Sequence, residues 1–251
     1  MNEVSISRKF AWQEILLVLG VSLGASALYS LVQLFESLIS PTGLGGSSTS
    51  LNTSESASQY FDLTYQLLGI GLALVPVFLA LYLLIRSNPE FSVGLLPDRG
   101  SDFLRALALA AAIGIPGLAL YYVARLTGLA AQVIASSENP YWWTLPVLLL
   151  SAARAALQEE VIMIGFLYKR LEQLGFSFAK RQAFSASIRA AYHAYQGFGG
   201  LIGNAVLGLV FGWCYRRWGR VAPLIVAHFI LDAVVFVGYA LLAKQLATFG
   251  F

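Results

Sequence analysis

The sequence predicts an all-α fold, a polytopic transmembrane helix bundle of about seven spans, with six to eight as the range. Three observations predict it. Of 251 residues, 58% are hydrophobic and 12% are charged, about half the charged share of a water-soluble domain. The apolar residues fall in long runs, each near the roughly 20 residues a helix needs to cross about 30 Å of hydrocarbon. The Lys and Arg residues sit in short clusters at the ends of those runs. That placement is a topology signal, so the net charge of +3 reads as adaptation to a lipid bilayer, with no nucleic-acid partner expected.

Taken in order, the first run covers about 12–38. Arg8 and Lys9 ahead of it, and Ala25-Ser26-Ala27 within it, have the look of a secretory signal, but the apolar stretch continues to about Ile39. This is longer than a signal core, and a retained first helix is expected. Further spans are expected near 60–86, 103–125, 142–168, 180–197, 200–216 and 221–244. The connection from Pro41 to Ser58 is rich in Ser, Thr and Gly and has no Lys or Arg, whereas Arg86, Arg99 and Arg105 surround the next one. Lys169, Arg170, Lys180 and Arg181 then follow the fourth span, and Arg216, Arg217 and Arg220 follow the sixth. The positive-inside bias places these clusters, and with them the N-terminus, in the cytoplasm. The compact length and short loops suit a prokaryotic plasma membrane. The single cysteine, Cys214, has no partner for an intrachain disulfide and reads as a packing residue.

Ionisable residues inside apolar runs carry the functional signal, because a charge in the bilayer costs at least about 2.5–3.5 kcal/mol and requires a partner. They are Arg154, Glu159, Glu160, Arg189, His193, His228 and Asp232. Glu159 lies ten residues before Lys169, His193 twelve after Arg181, and His228 eight after Arg220. At about 1.5 Å per residue each sits roughly 12–18 Å below the cytoplasmic face. One carboxylate and two imidazoles thus reach one level from three helices. His228 and Asp232 share a helix face at a spacing of four, as do Arg189 and His193. Glu159 and Glu160 are adjacent and point about 100° apart, so one faces a cavity while the other seeks a structural partner.

A buried carboxylate beside an imidazole can hold and deprotonate water, and a second imidazole with an Asp can stabilise an oxyanion. That assembly describes peptide hydrolysis without a covalent intermediate. Glu159, His193 and His228 could equally bind zinc, leaving a position for water, so a metal stays open. Arg154 reads as a partner for a carboxylate or carbonyl. Tyr141, Trp142, Trp143, Tyr192 and Tyr195 read as an aromatic belt at the outer interface without chemistry.

Gln158-Glu159-Glu160 through Leu167, then Tyr192-His193, then His228 through Asp232, resemble the CAAX protease and bacteriocin-processing family of intramembrane proteases. The resemblance covers about 141–245 and implies a catalytic membrane core there, preceded by about three N-terminal helices in 1–140. It implies that Glu159 is the base, His193 its water-positioning partner, and His228 with Asp232 the oxyanion side. It also implies a peptide or protein substrate, such as a membrane-associated tail. The family is described as glutamate-dependent, with an older metalloprotease assignment, so no cofactor is required and zinc is the alternative. Two positions depart from the motifs: Ile164 stands where an arginine is expected, and Arg189 where a phenylalanine is expected. Arg189 is therefore expected to supply the missing guanidinium to Glu160, both acting as supporting residues. The competing readings are a decayed, non-catalytic scaffold or immunity protein, and a proton-coupled transporter. The second predicts polar residues continuing to the outer face, which the first three spans lack.

Overall fold

A computed structural model of the chain describes residues 6–88, 92–96, 100–136 and 141–247. Helices α1 (Arg8–Gly20), α2 (Leu23–Ile39), α3 (Gln59–Ala73), α4 (Val75–Ser87), α5 (Gly100–Leu126) and α6 (Thr144–Glu160) come first. A π-helical turn, Val161–Phe166, leads into α7 (Leu167–Gln173), followed by α8 (Phe178–Tyr192), α9 (Phe198–Trp218) and α10 (Ala222–Ala247). Two three-residue strands, β1 (Ser48–Ser50) and β2 (Gln132–Ile134), pair in parallel with Ser48 opposite Gln132. The all-α fold is borne out.

Each segment expected to span the membrane is helical, but several are broken. The first bends by 54° between α1 and α2. Ser22 sits at that break with its Oγ donating to the Val18 carbonyl at 2.5 Å. The second breaks between α3 and α4, where Pro76, which has no N–H, occupies the first turn of α4. By length and composition, four helices among the described residues can cross a membrane, or five if the bent pair counts as one. This criterion passes over the shorter and more polar of the expected spans, and the reason is physical. Helix α6 has 17 residues and carries Arg154, Glu159 and Glu160, and α8 has 15 and carries Lys180, Arg181 and Arg189. These helices hold the polar groups of the candidate site. Outward-facing Leu16, Leu28, Val32, Phe35, Phe78 and Ile115 form an apolar exterior, which only lipid can solvate at this extent. The chain is an integral membrane protein.

The core centres on the π turn, where Val161, Ile162, Met163, Ile164 and Phe166 are wholly buried. Arg170, which the topology reading assigned to a cytoplasmic charge cluster, is instead wholly buried beside it. Its Nε donates to Glu14 at 2.6 Å, Nη1 to Ser87 Oγ at 3.1 Å and Gln173 at 2.9 Å, and Nη2 to the Leu83 carbonyl at 2.8 Å. One guanidinium thereby ties α1, α4 and α7 together. Arg99, used in the same topology reading, lies outside the described residues.

The Ser/Thr/Gly-rich connection is also structured. Arg125 Nη1 donates to the carbonyls of Gly45 at 3.0 Å and Ala130 at 2.8 Å, joining it to the segment after α5. Ala130 in turn bridges to Gly197, whose φ of 93° suits glycine. A Cβ at Gly197 would come within 2.8 Å of the Leu129 carbonyl oxygen. This contact pins the chain four residues after His193.

Candidate active site

The C-terminal turn of α6 delivers both glutamates, and the π turn that follows inserts a wider coil at the same place. π turns are rare and occur preferentially at functional sites. Glu160 is fully buried and Glu159 is 9% exposed. Although their side chains diverge, both reach the same cation. Arg189 Nη1 lies 3.2 Å from Glu159 Oε2, and Nη2 lies 2.7 Å from Glu160 Oε1. The fork of a guanidinium spans the divergence that neighbouring helix positions impose. Arg189 also stacks over Phe211 of α9, with the guanidinium carbon 5.7 Å from the ring centroid. Space for it comes from Gly208, where a Cβ would lie 3.2 Å from Arg189 Cδ. Ile164 lies wholly within the apolar core, and the guanidinium on Glu160 comes from α8.

The direct partner of His228 is Glu160, not Glu159. His228 Nδ1 donates to Glu160 Oε1 at 2.7 Å, and its Nε2 is 3.5 Å from Asp232 Oδ2. Glu159 instead accepts from the Tyr192 hydroxyl at 2.7 Å, through the same Oε2 that meets Arg189. Tyr192 is buried, so its assignment to an interfacial belt is corrected. Sequence spacing held a signal for it: Arg189, Tyr192 and His193 follow at i, i+3 and i+4, which is one helix face. His193 caps α8, and its Nδ1 lies 3.1 Å from the Arg189 carbonyl. A carbonyl only accepts, so Nδ1 carries the proton and Nε2 of the neutral ring is an acceptor.

A cavity of about 610 Å³ opens onto Glu159, Tyr192 and His193. Its far walls are the α1–α2 break at Val21 and Ser22 and the α3–α4 junction at Leu72 to Pro76. Arg154, Gln158 and Tyr195 also line it, so Tyr195 too leaves the belt. Glu160, Arg189, His228 and Asp232 are not among the lining residues. The expected residues therefore form two layers: Glu159 and His193 on the cavity, and behind them Glu160, Arg189 and His228 joined by hydrogen bonds, with Asp232 3.5 Å from His228.

Among the described residues, the group whose ligand atoms come within 4.8 Å of one another is Glu159, Glu160 and His228. The zinc set expected from sequence, with His193 in place of Glu160, does not converge to this degree. The converging donors are a poor fit for a resident metal, because Arg189 already bonds to both carboxylates and His228 to one of them. A divalent cation would have to displace that guanidinium or sit against its charge.

The polar residues above follow one another through the segment from Arg154 to Asp232. Residues 141–234 match the family of type II CAAX prenyl endopeptidases described as Rce1-like. This segment of the chain is similar to that family. The resemblance seen in the motifs is thus borne out over somewhat more than a third of the chain. No curated protein and no solved structure matches. The Rce1-like segment supplies Glu159, Glu160, Arg189, His193, His228 and Asp232, while the cavity in front of them is closed by α1 to α4. The family supports intramembrane endopeptidase activity in general, a hydrolase acting on peptide or protein.

Proposed function

We propose that this protein is an intramembrane endopeptidase in which Glu159 activates a water molecule with the help of His193. The observation that carries the reading is the saturation of one carboxylate oxygen beside an open cavity. Glu159 Oε2 is occupied by Arg189 and Tyr192, which leaves Oε1 as the proton acceptor on the cavity side. A water between Oε1 and His193 Nε2 gives one proton to the carboxylate and donates its other hydrogen to the imidazole. The hydroxide adds to the scissile carbonyl, and Glu159 returns the proton to the departing amine as the C–N bond breaks.

His228 and Asp232 form the oxyanion side. With Nδ1 donating to Glu160, His228 can donate from Nε2 only as imidazolium, and Asp232 is the nearby group that can receive or return that proton. Glu160 and Arg189 hold the two layers in register. The mechanism needs no metal: the charge that zinc would offer is already present in Arg189. The substrate is a peptide or protein segment that reaches the cavity, a membrane-associated tail being the natural candidate for a site inside the bilayer. The accompanying orientation has the N-terminus in the cytoplasm of a prokaryotic cell.

The test is cleavage of a mixed peptide library by the purified full-length protein in detergent, read by mass spectrometry. Products from wild type that vanish with Glu159→Ala and with His193→Ala are the expected result. Equal cleavage by wild type and Glu159→Ala would reject Glu159 as the base, and cleavage by neither would favour a non-catalytic scaffold.

A further inference from the structure

Three wholly or partly buried arginines each meet a carboxylate. Arg170 meets Glu14, Arg189 meets Glu159 and Glu160, and Arg220 meets Asp102. Arg154 is different. It lies only partly buried on the cavity wall, and its hydrogen bond is to a neutral carboxamide, Nη1 to Gln158 Oε1 at 3.2 Å. Among the described residues no carboxylate lies within 4.0 Å of it, Asp232 included, whose Oδ2 faces His228. A guanidinium on a cavity wall with no carboxylate in bonding range retains affinity for an anion. Gln158, one turn along the helix, fixes one arm of the fork and leaves other N–H donors for a ligand.

We propose that Arg154 is an anion-recognition point that takes a carboxylate of the bound peptide and so selects which peptides are held against Glu159 and His193. The inference deepens the proposed endopeptidase function and rests on it for the identity of the ligand. Arg154 precedes Glu159 by five residues on α6, about 7.5 Å along the axis. An extended peptide advances about 3.3 Å per residue, so the carboxylate belongs a few residues from the bond presented to Glu159. A cavity of about 610 Å³ accommodates such a fragment. Both a free C-terminus and a Glu or Asp side chain supply the required group.

The experiment is peptide binding by fluorescence anisotropy to the full chain in nanodiscs of zwitterionic lipid. Three matched apolar peptides are used: one with a free C-terminal carboxylate, its C-terminal amide, and that amide with one internal Glu. Wild type should bind at least one carboxylate peptide roughly 10- to 100-fold tighter than the plain amide, the usual range for a charge-assisted hydrogen bond. Arg154→Gln should reduce the ratio to near one, and Arg154→Lys should retain part of it. Comparing the two carboxylate peptides identifies the source of the anion. Equal binding of all three by wild type, including no binding of any, overturns the proposal, as does a preference that persists in Arg154→Gln. If the preference disappears in discs containing phosphatidylglycerol, the anion is a lipid headgroup and the proposal is wrong. Because binding needs no turnover, the two readings separate. Cleavage without carboxylate preference defeats only the role of Arg154, and preference without any cleavage defeats only the protease.

Discussion

Replacing Arg189 by Met keeps most of the side chain's volume and removes the charge on which two carboxylates depend. Glu159 and Glu160 are 3.2 and 2.7 Å from the guanidinium, and Glu160 has a second oxygen, Oε2, that is buried with no hydrogen-bond partner among the described residues. Breaking a buried ion pair from one side costs about 3–5 kcal/mol, because the charge left behind is uncompensated. A domain's whole stability is about 5–15 kcal/mol, so Arg189→Met should unfold at a far lower temperature or denaturant concentration than wild type. The assay is unfolding in detergent followed by tryptophan fluorescence. The double variant Arg189→Met with Glu160→Gln should recover part of the loss, because one of the two groups left behind is then neutral and still bonds to His228. That recovery would appear as a coupling of about 0.5–3 kcal/mol in a double-mutant cycle. A midpoint for Arg189→Met close to wild type, or strictly additive losses in the double variant, would refute the view that this cation holds the two layers of the site together.

Tyr192→Phe removes only the hydroxyl that donates to Glu159; the expected loss is about 1–3 kcal/mol of carboxylate positioning, read as a roughly 10- to 100-fold fall in kcat with an unchanged KM. A chelator such as EDTA should leave cleavage intact, since Arg189 occupies the carboxylates that a metal would need, and loss of activity restored by added zinc would contradict this. Ile164→Arg alone places a guanidinium in a wholly buried apolar position, and should destabilise by several kcal/mol. In an Arg189→Phe background, which restores both motif residues of the related family, the same change should cost less. Identical costs in the two backgrounds, measured by denaturant unfolding, would show that positions 164 and 189 do not substitute for one another.

The fold class was legible because bilayer thickness imposes a run length that no soluble protein maintains so often. The number of spans was less legible, for the same physical reason that the site could be found at all. The helices carrying Arg154, Glu159, Glu160 and Arg189 are too polar or too short to pass as lipid-facing spans. Spacing by four identified the pairing of His228 with Asp232, whose atoms lie 3.5 Å apart. It could not assign partners between helices. That His228 meets Glu160 depends on how α10 packs against α6, and that Tyr192 meets Glu159 depends on α8, so both follow from tertiary contacts that no local pattern encodes. The π turn was hidden as well, since Val161–Phe166 reads as an ordinary apolar stretch.

The arrangement of charge explains why these residues can coexist inside a membrane. Glu160 Oε1 accepts from both Arg189 and His228, so the more deeply buried of the two glutamates is held by a guanidinium and an imidazole together. Glu159 accepts through Oε2 alone, and its other oxygen is available where the cavity admits water. Burial and reactivity are thereby divided between two consecutive residues, the first on the cavity and the second serving the network behind it. The guanidinium that links them lies on another helix, so displacement of α8 relative to α6 would strip both carboxylates at once. On the proposed mechanism, helix packing and the proton acceptance assigned to Glu159 are for this reason a single property of the fold.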